Sequence, residues 1–124
     1  MDVPIKVLLA GDHPVVRLGL ASQLKSEKDI QILGEAGNPP EVLKKAVELN
    51  PDVILLDVTT RGLNWPQAIA LIKASLNRVR LLAFTISQTQ DELLAAERAG
   101  ASASLPNNFT LSHVLDMLRN KVAG

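Results

Sequence analysis

The fold class predicted by this chain is a three-layer α/β domain on one doubly wound, five-stranded parallel sheet, and three observations predict it. Four aliphatic residues in a row, Val53-Ile54-Leu55-Leu56, follow Pro51-Asp52 and end in a carboxylate, Asp57. Such a run, β-branched at its start, reads as a strand buried on both faces, as in parallel sheets. Short apolar runs then alternate with helical periodicities along the chain, an order that implies right-handed crossovers onto a single sheet. Finally, 124 residues that are 47% hydrophobic and 21% charged suffice for one domain, residues 1–124, with a sizeable core.

Taken in order, Ile5 to Ala10 forms the first strand, broken by the turn chemistry of Gly11-Asp12-His13-Pro14. Pro14 suits the first turn of a helix with Asp12 or His13 near its N-cap, and Val16, Leu20 and Leu24 recur on one face of it. Ile30 to Ala36 is a weaker second strand with partial alternation. Gly37-Asn38-Pro39-Pro40 opens a second helix whose Leu43, Ala46 and Val47 are expected to share a face. The third strand is the run ending at Asp57, followed by a loop from Val58 to Asn64 and a third helix marked by Ala68, Leu71 and Ile72. Val79 to Phe84 gives the fourth strand, ending at Thr85, and Asp91 to Ala99 gives a helix stopped by Gly100, a residue suited to a left-handed C-cap. A short fifth strand, Ala101 to Leu105, precedes a last helix capped by Thr110, with Leu111, Val114, Leu115 and Leu118 on one face.

Thirteen basic residues balance thirteen acidic ones, so the strong positive bias of a free-standing nucleic-acid binder is absent. Without cysteine there is neither a disulfide framework nor a thiolate metal site, and His13 and His113 are too few for a histidine-rich one. No apolar run approaches the roughly 20 residues that span a bilayer. Met1-Asp2-Val3-Pro4 lacks the regions of a signal peptide, so a cytoplasmic location without membrane contact is the expectation.

For five strands the flavodoxin-like order 2-1-3-4-5 is the expected one, and it sets the ends of strands one and three side by side. Asp12 and Asp57 then converge in one crevice. Paired carboxylates repel unless a cation intervenes, and hard oxygen ligands of this kind suit Mg²⁺. With the charge neutralised, Asp57 is placed to act as a carboxylate nucleophile and form an acyl phosphate, and Thr85 to donate its hydroxyl to phosphoryl oxygens. The plainer alternatives are that Asp57 ends a strand and caps the next turn and that Thr85 bonds its own backbone. An aspartyl phosphatase would want a second carboxylate where Thr59 stands, and Gly11-Asp12-His13-Pro14 has no phosphate-binding glycine pattern, so an enzyme is not expected.

Three segments, Val7-Leu8-Leu9-Ala10-Gly11-Asp12-His13-Pro14-Val15-Val16-Arg17, Asp52-Val53-Ile54-Leu55-Leu56-Asp57 and Ala99-Gly100-Ala101-Ser102, resemble the receiver domain of bacterial two-component response regulators. The His-Pro and Ala-Gly-Ala-Ser elements are similar to receivers that precede a LuxR-type helix-turn-helix domain. The resemblance covers essentially the whole chain. It implies a CheY-like fold with Asp57 as phosphoacceptor, Asp12 and Asp57 as Mg²⁺ ligands together with the main-chain carbonyl of Thr59, and Thr85 as switch hydroxyl. It also implies a sensor histidine kinase or small phosphodonor as partner, and a homodimer through helix four, strand five and helix five. DNA binding is not expected of these residues and would belong to a further C-terminal domain.

The chain also departs from the family pattern. Gly11 stands where a second acid is usual, Asn107, or a neighbour beside Pro106, where a lysine is usual, Ser104 where the switch aromatic is usual, and Ile86 where a small residue is usual. Two readings follow: a receiver that still accepts phosphate on Asp57, and a phosphorylation-independent pseudo-receiver that serves as an interaction or dimerisation module. His13 reads as a helix-start residue near the crevice rather than a ligand or base. Trp65 is expected in a partly buried packing role, and Arg61 as a solvated loop residue or a substitute for the lysine.

Overall fold

Five strands and five helices alternate along the chain, for a reason visible in each burial pattern. The computed structural model describes residues 3–59, 65–87, 90–106 and 108–119. The elements are β1 (Ile5–Ala10), α1 (Pro14–Leu24), β2 (Ile30–Ala36), α2 (Pro39–Leu49), β3 (Val53–Asp57), α3 (Trp65–Ser75), β4 (Arg80–Phe84), α4 (Asp91–Ala99), β5 (Ala103–Ser104) and α5 (Leu111–Leu118). All pairings are parallel and the strand order is β2-β1-β3-β4-β5, the predicted topology. Among the described residues no helix is long and apolar enough to cross a membrane.

Alternation along the central strands divides the core into two layers. Leu8, Ala10, Ile54, Leu56, Leu81 and Ala83 face α2, α3 and α4, while Val7, Leu9, Val53, Leu55, Leu82 and Phe84 face α1 and α5. Every residue of β3 is buried, as its unbroken apolar run demands. β2 alternates poorly because its register against β1 slips: Val7 pairs with Ile32 but Leu8 with Gly34, leaving Leu33 as a bulge. β5 is shorter than the expected 101–105 segment, with two ladder pairs, although Ser102 and Leu105 still donate to the carbonyls of Leu81 and Ala83.

Two helix faces differ from expectation. On α2, Val42 and Ala46 are buried and Val47 is 64% exposed. On α3, Trp65, Ala68, Ile69 and Ile72 are buried and Leu71 is 53% exposed. In both cases residues four apart, 42 and 46 or 65, 69 and 68, 72, define the stripe that meets the sheet, and an apolar neighbour one position along is turned outward. Trp65 is fully rather than partly buried, and its Nε1–H meets no acceptor among the described residues.

The expected caps at Gly100 and Thr110 are present, and Asn38 adds one at the start of α2. Asn38 accepts the amide of Glu41, and Gly100 ends α4 at φ +119°. Thr110 accepts the amide of His113 while the His113 ring accepts the amide of Thr110, so histidine fills the place of glutamate in a capping box.

One contact sets how closely β1 approaches β3 at the carboxyl end of the sheet. Gly11 has φ +146°, and a Cβ there would lie 2.7 Å from the Cβ of Asp57. The carbonyl of Gly11 is held by Arg17, whose Nε also donates to Glu35 at 3.0 Å. A side chain at residue 11 would therefore be both strained and in collision. Gly11→Ala is expected to lower stability by about 2–4 kcal/mol in urea unfolding. Gly19→Ala, at an α1 position with nothing within 4 Å, is expected to raise it by about 0.5–1 kcal/mol. Equal effects at the two positions would contradict this account of residue 11.

Candidate functional site

The carboxyl ends of β1, β3 and β4 bring together the residues that the sequence singles out. Ala10 pairs with Leu56 and Asp57 with Phe84, so Gly11 abuts Asp57, Asp12 lies one residue farther on and Thr85 follows directly beside β3. Asp57 is 1% exposed and Thr85 5% exposed, the two buried polar residues of the described core. Asp12, in contrast, stands exposed at the mouth.

A buried carboxylate needs donors, and Asp57 finds them on Thr59 and His13. The Thr59 amide donates to Oδ1 at 2.9 Å, and the Thr59 hydroxyl donates to the same oxygen. His13 Nδ1 lies 3.3 Å from Oδ2. Because a carboxylate accepts only, the attractive tautomer carries its proton on Nδ1.

The hydroxyl protons follow by counting. The single proton of Thr59 Oγ1 goes to Asp57, so the 3.0 Å contact between Thr59 Oγ1 and Thr85 Oγ1 must be donated by Thr85. Thr59 Oγ1 also accepts the amide of Ile86, and Thr85 Oγ1 accepts the amide of Ser87, each at 3.0 Å. The result is a directed chain, Thr85 to Thr59 to Asp57, with both oxygens tied to the backbone after β4. Among the described residues, one oxygen of Asp57 thus accepts two hydrogen bonds from Thr59 and the other is met by His13.

Thr85 is therefore connected to Asp57 through Thr59 rather than directly. The Thr59 side chain, which the sequence reading passed over in favour of its carbonyl, is the hub. The signal was present: a residue two positions after an aspartate commonly donates its amide to that carboxylate. His13 is indeed the N-cap residue of α1, as read, but its side chain makes no capping bond and turns to Asp57 instead. Ile86 keeps an exposed side chain and contributes its amide. Ser104 donates to Glu97 Oε2 at 2.6 Å, joining β5 to α4. Asn107 and Arg61 lie outside the described residues.

The place of Gly11 is more than a missing acid, because the backbone there excludes any side chain without moving Asp57. Among the described residues no three of His, Cys, Asp and Glu gather as a metal cluster. The carboxylates expected to serve a cation are the buried one of Asp57 and the exposed one of Asp12. Such a lean set fits Mg²⁺, which keeps several waters and takes one or two carboxylates.

Comparison with known proteins agrees with this geometry. The family model described as response regulator receiver domain matches residues 7–119. The transcriptional regulatory protein LiaR of Bacillus subtilis (strain 168) is 35% identical over 115 residues, covering 93% of this chain and 54% of LiaR. The response regulator protein VraR of Staphylococcus aureus (strain Mu3) is 32% identical over 120 residues, covering 97% of this chain and 57% of VraR. The chain thus spans a little over half the length of these curated relatives. A LuxR-family two-component response regulator from Aurantimonas sp. SI85-9A1 superposes with TM-score 0.84 at 26% identity, covering 98% of this chain and 86% of that one. The signal receiver domain of a NarL response regulator from Mycobacterium tuberculosis gives 0.80 at 25%, covering 94% and 98%. With the fold, the buried aspartate and the family match in agreement, the chain belongs to the receiver domains of two-component response regulators.

Proposed function

We propose that this receiver domain takes up a phosphoryl group on Asp57 from a sensor histidine kinase or a small phosphodonor, and acts as a stoichiometric acceptor rather than a turnover enzyme. The observation that carries the reading is the state of the Asp57 carboxylate. Oδ1 is held by two bonds from Thr59, which orients the group, and Oδ2 is the oxygen left to attack phosphorus. In the transfer an Oδ2–P bond forms while the bond from phosphorus to the donor's leaving atom breaks, and the leaving group departs with the electron pair.

Receiver domains generally bind Mg²⁺ at an acidic pocket. Here Asp12, Asp57 and the carbonyl of Thr59 would hold it, and the bound ion would supply charge neutralisation for the incoming phosphoryl group. Thr59 fixes the nucleophile, and Thr85 is placed to transfer its hydroxyl from Thr59 to a phosphoryl oxygen. The phosphorylation-independent alternative gains no support of its own, because the contacts around Asp57 are those of an oriented acceptor.

For the output surface, we propose a homodimer through α4, β5 and α5. Leu94 is 47% exposed on α4, and the Ser104–Glu97 bond ties that helix to β5. Since Ser104 replaces an aromatic, phosphate is expected to alter this assembly only modestly. In a full-length regulator of this kind, control of transcription would rest on a further DNA-binding domain, and the setting would be cytoplasmic.

Intact mass after incubation with Mg²⁺ and acetyl phosphate is expected to show one phosphoryl adduct, absent in Asp57→Asn. An unmodified mass after prolonged incubation, or an equal adduct in the variant, would overturn the assignment. Sedimentation is expected to show concentration-dependent dimerisation that changes little on phosphorylation, whereas one unchanged monomer at all concentrations would contradict the proposed interface.

A further inference from the structure

We propose that His13 is a phosphoryl-binding donor of this site, giving its Nδ1–H to the phosphoryl group on Asp57. The inference rests on the reading of Asp57 as the acceptor. Among the described residues, the hydrogen bonds to Asp57 come from Thr59 and His13, and they divide between the two oxygens. Thr59 is committed to Oδ1. His13 faces Oδ2, the oxygen on which phosphorus arrives, so the group that arrives there meets the His13 ring first.

Two further observations separate this role from helix capping. Histidine is a poor N-cap residue compared with serine, aspartate or asparagine, and the His13 side chain makes no capping bond. Its ring is also 40% exposed, against 1% for Asp57, so it has room to swing outward by the length of a phosphoryl group while keeping its backbone place. Among the described residues, the nearby arginine is occupied: Arg17 donates to the carbonyl of Gly11 and to Glu35. The added anionic oxygens need a nitrogen donor, and charge-assisted hydrogen bonds are the strong ones.

No proton leaves His13 in the step. The Oδ2–P bond forms, acetate leaves acetyl phosphate with the electron pair of the broken P–O bond, and the Nδ1–H transfers its hydrogen bond from Oδ2 to a phosphoryl oxygen.

The test compares wild type, His13→Leu and His13→Asn, since the Asn amide nitrogen stands where Nδ1 stands. Loading by acetyl phosphate is followed by intact mass, trifluoroberyllate affinity by ¹⁹F NMR, and stability by urea unfolding. His13→Leu is expected to lose about tenfold in loading rate and in trifluoroberyllate affinity, the effect of one hydrogen bond to a charged group. His13→Asn is expected to recover most of both. Loading by His13→Leu at the wild-type rate, or no recovery in a folded His13→Asn, would overturn the proposal while leaving Asp57 as acceptor. A wild-type protein that binds neither phosphoryl nor trifluoroberyllate would instead remove the acceptor reading and this proposal with it.

Discussion

A carboxylate that is almost fully buried has to be met by donors, and most of the architecture at the carboxyl end of the sheet answers that requirement at Asp57. The apolar run of β3 carries the residue inward. The turn after it folds Thr59 back so that amide and hydroxyl reach the same oxygen. Thr85 and the amides of Ile86 and Ser87 then complete the hydroxyl chain, so the segment after β4 is held in place by hydrogen bonds that end on Asp57. On this geometry, a change in the contacts of that carboxylate would be felt first by this segment.

The departures from the family pattern have different physical meanings. At Gly11 the chain has exchanged an acidic side chain for a close approach of two strands, with φ in a region that glycine tolerates and other residues do not. At Ser104 a small hydroxyl bridges to Glu97 and pins β5 to α4, where a large ring would have an inward and an outward position. Under the proposed reading, the first leaves a Mg²⁺ site with one carboxylate fewer, and the second would remove a bulky reporter of the state of Thr85.

Much of the fold was legible because it depends on periodicity. The β3 run, the alternation of elements, the caps at Gly100 and Thr110, and the convergence of Asp57 with Thr85 all follow from local pattern and one topology rule. The outward turn of Val47 and Leu71 was not legible, since rotating a helix by one residue leaves its pattern almost unchanged and only packing against the sheet decides. Nor was the Leu33 bulge, which the poor alternation of β2 hinted at without locating. At the site, residue types pointed to Asp57, Asp12 and Thr85. The contacts of Thr59 and His13 arise from how two turns face each other across β1 and β3, which no linear spacing records.

The central claim is that Asp57 is coupled to the backbone after β4 through the Thr59 and Thr85 hydroxyls. Amide NMR on formation of the trifluoroberyllate adduct tests it most directly. The account predicts that the Ile86 and Ser87 amide resonances move together as their acceptor hydroxyls are reorganised, and that Thr59→Val uncouples Ile86 from the adduct. An adduct that forms while both resonances stay in place would contradict it.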